Sequence, residues 1–178
     1  MIHLITVVGK SAKNFYLERQ YISDFKSLMR TVTSGRVMII STKFRSDLFY
    51  NTEKPRNKEI LKMWALYANT SLTGLDRKDF TVSDGDEKSL SRYFLSINQL
   101  STNWYHYWLY RKAFHYMFSN DQQNPVAKTV VQCDQYLIEH TSTKRTPLIG
   151  SNEMISPKLT KDTLAIAMYI IKNGTRSN

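Results

Sequence analysis

Three groups of residues in this chain could do chemistry. The first centres on Asp24, a carboxylate opening the helix-like stretch DFKSLMRTVTSG, which runs into the strand-like RVMII and the polar turn STKFRS. A lone acid at a helix start beside a buried strand suits a small-molecule site. The competing reading of Asp24 is an acid that complements the helix dipole, worth ~0.3–1 kcal/mol. The second group is aromatic. Trp104, Tyr105, Tyr107, Trp108, Tyr110, Phe114, Tyr116 and Phe118 are interleaved with His106, Arg111, Lys112 and His115. Rings that stack bases, next to cations that neutralise phosphates, are the means of holding single-stranded nucleic acid. Core packing is the competing reason for such a run. The third group holds the histidines and the one cysteine. His3, His106, His115 and His140 form no HExxH-type pair, and Cys133 lies in an apolar stretch with no adjacent histidine. Neither a metal site nor a catalytic thiol is expected from them. No P-loop or GxGxxG occurs.

These groups need elements to position them. Met1–Val8 (MIHLITVV) reads as a strand buried on both faces, and residues 9–20 as a loop. A helix starts at Asp24, capped by Ser23, with Phe25, Leu28 and Met29 on one face. Residues 37–40 read as a second buried strand, 41–49 as a short helix or turn, and 51–58 as a loop around Pro55. Residues 60–68 fit a helix or a strand, and 79–82 a short strand. Leu90, Tyr93, Phe94, Ile97 and Leu100 form a clear helical stripe over 87–100. Residues 104–118 read as a strand or as one long aromatic helix, and 128–138 as a strand. Residues 143–158 are loop-rich, with Pro147, Gly150 and Pro157, and 164–171 form a last buried strand or helix. The alternation of strand and helix predicts an α/β fold in one domain over 1–178, a mixed, largely parallel sheet flanked by helices. The runner-up is α+β, with the aromatic helix packed on a small sheet.

At 178 residues the chain is long enough to bury a real core. Its formal net charge of +10 favours anionic partners, whether nucleic acid or another acidic surface. One cysteine cannot form an internal disulfide and fits a reducing compartment. No apolar run approaches the ~20 residues that span a bilayer, and no signal peptide is recognisable, so a cytoplasmic location is expected. Heavy use of Asn, Ser, Lys and Tyr hints at an AT-rich genome such as that of a phage or virus.

The first half resembles dihydrofolate reductase. The resemblance rests on MIHLITVV as the first strand, on DFKSLMR as a helix opened by an acid, and on Val37–Ile39 as the next strand. Phe44 matches the aromatic that follows, and Pro55–Arg56 before Ile60–Leu61 is similar to the Gly–Arg before the third strand. It runs from residue 1 to about residue 61. The resemblance implies that Asp24 holds the pterin ring and is the catalytic carboxylate. It implies that Leu28 and Phe44 pack against the folate and that Arg56 grips its tail carboxylate. It also implies hydride transfer from NADPH, with Ser41, Thr42 and Lys43 near the cofactor phosphates. The chain departs from the family at the cofactor side. Ile40–Ser41 replaces the Gly–Arg/Lys turn, Lys43 a threonine, and Leu109–Tyr110 the later glycine pair. Bulky side chains there would block backbone approach to a pyrophosphate. Two functions are therefore expected in competition. One is a divergent reductase-like domain with a folate-type pocket, an enzyme if hydride transfer survives. The other is a non-enzymatic basic viral or phage protein that binds nucleic acid or another anionic surface through Trp104, Trp108, Arg111 and Lys112.

Overall fold

A computed structural model describes residues 1–73, 77–150 and 159–174. The chain forms two compact units, Met1–Gly85 and a second that begins at Asp86.

The first unit contains β1 (Ile2–Val8), α1 (Gly9–Asn14), α2 (Arg19–Met29), β2 (Met38–Ser41), β3 (Arg45–Asn51), α3 (Asn57–Tyr67), a 3-10 turn (Arg77–Asp79) and β4 (Phe80–Asp84). The strands form one sheet in the order β2-β3-β1-β4. All three pairings are antiparallel. This order and element sequence is the split βαβ, or ferredoxin-like, arrangement.

The expected largely parallel sheet is thus corrected. The cause is β3, in a region that reads as a short helix or turn. Thr42 closes a tight hairpin between β2 and β3: its N–H and hydroxyl donate to the Arg45 carbonyl at 2.9 and 2.6 Å, and Oγ1 accepts from Arg45 N at 3.1 Å. Two strands joined so tightly can only run antiparallel. β3 then inserts between β1 and β2, which would otherwise have been neighbours.

One face of this sheet carries Ile5, Val7, Ile39, Leu48 and Tyr50. It packs against Phe25 and Met29 of α2 and Ile60 and Trp64 of α3, all buried. The Trp64 indole N–H donates to the Phe15 carbonyl at 3.1 Å, and its ring meets Phe15 edge-on at 5.3 Å. Full burial of such a side chain contributes ~1.5–3 kcal/mol. The other face carries Leu4, Met38, Ile40 and Phe49, also buried.

The second unit is helical: α4 (Asp86–Leu100), α5 (Trp104–Asn120), α6 (Pro125–His140) and α7 (Lys161–Gly174). The stripe over 87–100 is α4 as read. Residues 128–138, expected as a strand, are helical instead. Asn124 caps α6 by accepting from Val126 N and Ala127 N, and Pro125 opens its first turn. α2 likewise begins five residues earlier than expected, at Arg19. Residues 151–158, within the expected loop, lie outside the described residues. Among the described residues no helix is long and apolar enough to cross a membrane.

Candidate functional site

α5 sorts its aromatics by face. Tyr107, Tyr110, Phe114 and Met117, at i, i+3, i+7 and i+10, point inward and are buried. Trp104, Tyr105 and Trp108 point outward and are 77%, 49% and 43% exposed. The outward rings touch one another: Trp104 meets Tyr105 edge-on at 5.7 Å, and Tyr105 lies near-parallel to Trp108 at 6.2 Å and 26°. The Lys112 ammonium sits 3.6 Å from the Trp108 ring centroid, a close cation–π contact. Asn103 holds the start of the helix by accepting from His106 N at 3.0 Å. No Asp or Glu occurs anywhere in α5. The result is an exposed aromatic strip with a cation laid on it and no carboxylate in the same helix. Contiguous exposed aromatic rings make this strip the candidate interaction surface.

The residues expected around a folate-type pocket lie on three elements. Asp24 lies in mid-helix on α2 and is exposed, with Leu28 one turn further and half-buried. Phe44, half-buried, sits at the β2–β3 turn, whereas Arg56, exposed, sits at the start of α3. The seven residues of β3 separate these last two by roughly 20 Å. Ser41 and Thr42 are buried, and their hydroxyls are spent locally. Ser41 Oγ accepts from Leu17 N at 2.9 Å and pairs with Ser46 Oγ at 3.0 Å. Lys43 is exposed, its ammonium 5.8 Å from the Tyr16 ring. In α5, Arg111 donates from Nε to the Pro147 carbonyl at 2.7 Å, so Lys112 is the cation of the outward face.

Three polar clusters escape sequence reasoning. In the first, buried His3 reaches Asp84 Oδ1 from Nδ1 at 2.9 Å and the Thr52 carbonyl from Nε2 at 3.2 Å. Its ring stacks on Tyr50 at 4.9 Å. The Tyr50 hydroxyl donates to Asn57 Oδ1 at 2.7 Å and accepts from Arg56 N at 2.9 Å. Burial pushes this phenol up to about 12, with Asp84 and Glu59 adding to the rise and the Arg56 amide opposing it. The His–Asp pair has the look of a catalytic dyad, but both ring nitrogens are committed to the fold.

In the second cluster, on the opposite sheet face, Arg45 grips Asp47 through Nε at 2.6 Å and Nη2 at 2.9 Å. Thr6, the register partner of Asp47 on β1, donates to Oδ1 at 2.6 Å.

The third lies in the helical unit. Arg145 donates from Nη2 to Asp134 at 2.5 Å, from Nε to Asn98 Oδ1 at 2.7 Å and from Nη1 to the Tyr107 hydroxyl at 3.2 Å. Burial works against the guanidinium charge, but Asp134 and Tyr107 outweigh it and hold the arginine above its ordinary range. Asp134 also accepts from Leu148 N at 2.7 Å. This arginine pins the segment after α6 to three helices. Such clusters support structure.

Among the described residues, no group of three or more His, Cys, Asp or Glu is placed to hold a metal ion. Compared with protein-family models, curated proteins and solved structures, the chain finds no match in any of the three.

Proposed function

We propose that this protein binds single-stranded nucleic acid through the outward face of α5. The observation that carries the reading is the strip itself. Trp104, Tyr105 and Trp108 are exposed, touch one another and have Lys112 lying across the last ring. Every nucleobase has a flat π-face, and stacking it on an exposed indole contributes ~1–3 kcal/mol per base. A base entering over Trp108 displaces the Lys112 ammonium from the ring. The freed ammonium then meets the adjoining phosphate. The excess of Lys and Arg over acid, 25 against 15, supplies long-range attraction to a polyanion. Duplex bases are already stacked and offer no free face, so a single strand is preferred.

The test is a titration of oligo(dT) into the full chain, read by tryptophan emission. Two of the three tryptophans, Trp104 and Trp108, are on the strip, and the third, Trp64, is buried. Binding should quench emission, and a Trp104→Ala/Trp108→Ala variant should lose most of the quenching. A flat titration at low salt overturns the reading.

A further inference from the structure

A second surface in the β-sheet unit has its own chemistry. The register sets Val8 of β1 opposite Arg45 of β3 and Val7 opposite Phe80 of β4. Three segments therefore meet at this end of the sheet: α1 after β1, the β2–β3 turn, and the 3-10 turn before β4. They carry Lys10 and Lys13, Lys43, and Arg77 and Lys78, and all five are exposed.

The acid among these described segments is turned away from solvent. Asp79 is buried, its Oδ2 accepting from Ser11 N at 3.1 Å and Ser11 Oγ at 2.9 Å. That clasp fastens the 3-10 turn to α1 and so holds Arg77 and Lys78 beside Lys10 and Lys13. Gly9 makes the clasp possible. Its φ is +62°, and a Cβ there would stand 2.9 Å from Asp79 Oδ1. Among the described residues, Glu18, past Leu17, is an exposed carboxylate; it accepts from Gln20 Nε2 at 3.1 Å and is followed directly by Arg19. The far end of the sheet interleaves both signs, with Glu53, Glu59 and Asp84 among Arg36, Lys54, Arg56 and Lys58.

We infer that this basic end is a phosphate-backbone contact for nucleic acid, separate from the stacking strip. The inference rests on the nucleic-acid reading above for the identity of the polyanion. Five cations displayed by three neighbouring segments, with Asp79 withdrawn into the clasp, suit a repeating phosphate better than a single small anion. They position the strand without reading its bases.

The experiment compares two variants of the full chain, each losing four positive charges. One is Lys10→Gln/Lys13→Gln/Lys43→Gln/Lys78→Gln. The other, the control, is Lys54→Gln/Arg56→Gln/Lys58→Gln/Lys62→Gln. Oligo(dT) affinity is measured over a salt series, with far-UV circular dichroism and a thermal melt to confirm folding. For single strands each lost phosphate contact lowers the slope of log K against log salt by about 0.7. The first variant should therefore lose about 2 or more of slope. The control should stay near wild type. Equal slopes in the two variants reduce the effect to bulk charge and overturn the inference. A wild-type slope in the first variant, with binding still weakened by Trp108→Ala, overturns this surface alone. No binding by the wild-type chain overturns the stacking reading and this one together.

Discussion

His3 Nδ1 lies 2.9 Å from Asp84 Oδ1, joining two residues 81 positions apart. The contact links the first strand to the last and faces the helix-covered side of the sheet. Asp84 Oδ1 also accepts from Asn57 Nδ2 at 3.0 Å, which brings the start of α3 into the same knot. His3→Phe keeps a ring over Tyr50 but removes both ring nitrogens. The Thr52 carbonyl is then left without its partner, at a cost of ~1–3 kcal/mol. Urea denaturation should show that loss, and an unchanged midpoint would mean that the knot is decorative.

Arg145 and Asp134 form a buried pair that is costly to break. Arg145→Met leaves a buried carboxylate without the cation that is hydrogen-bonded to it, which typically costs ~3–5 kcal/mol. Pairing it with Asp134→Leu should recover most of that, because no stranded charge remains. Equilibrium unfolding of the single and double variants decides the matter. A loss below ~1 kcal/mol in the single variant contradicts the assigned role.

The inner and outer faces of α5 should respond in opposite ways. Trp104→Ala and Trp108→Ala should leave the melting temperature near wild type and weaken oligo(dT) binding by ~1–3 kcal/mol for each lost stack. Phe114→Ala should instead destabilise the fold by ~3–5 kcal/mol. If the outer substitutions unfold the chain, those rings are core and the interface is lost with them.

Alkaline pH should destabilise the protein before acid chemistry elsewhere matters. Burial pushes the Cys133 thiol from 9.0 up to about 12, with Asp134 adding to the rise, and pushes Tyr50 from 10.0 up to about 12. The unfolded chain therefore loses these protons first, and stability falls as pH climbs from about 9 towards 12. Well below pH 9 both groups are neutral in both states and contribute no slope. Cys133→Ala should make the alkaline limb shallower. In the native state at pH 8, iodoacetamide should label Cys133 only as fast as the helices open.

The sequence makes some elements plain and hides others for identifiable reasons. β1, β4 and the stripe of α4 are legible because their apolar spacing is uninterrupted. β3 is hidden because Arg45 and Asp47 occupy buried strand positions and look like turn residues. Only their pairing with each other and with Thr6 makes the strand habitable, and a linear reading does not see that. Without β3 a parallel sheet is the natural inference. α6 is hidden because Asp134 interrupts its inward face, although the cap at Asn124–Pro125 could have betrayed it. In α5 the aromatic run is obvious, but inward and outward rings have the same composition. The seven-position step from Tyr107 to Phe114 is the signal that separates them. The basic end of the sheet was not legible at all, since its five cations are spread over nearly seventy positions.

The strand order carries a consequence for how the chain becomes structured in time. β1 emerges first, yet it pairs on one side with β3 and on the other with β4, whose partner for His3 is Asp84. No local hairpin can shelter it. During synthesis this apolar strand must wait for some eighty further residues before both its edges are satisfied. Such distant pairing slows folding and lengthens the exposure of an aggregation-prone segment. Nascent chains halted before Asp84 should therefore depend on chaperones, whereas those extending past it should close the sheet on their own.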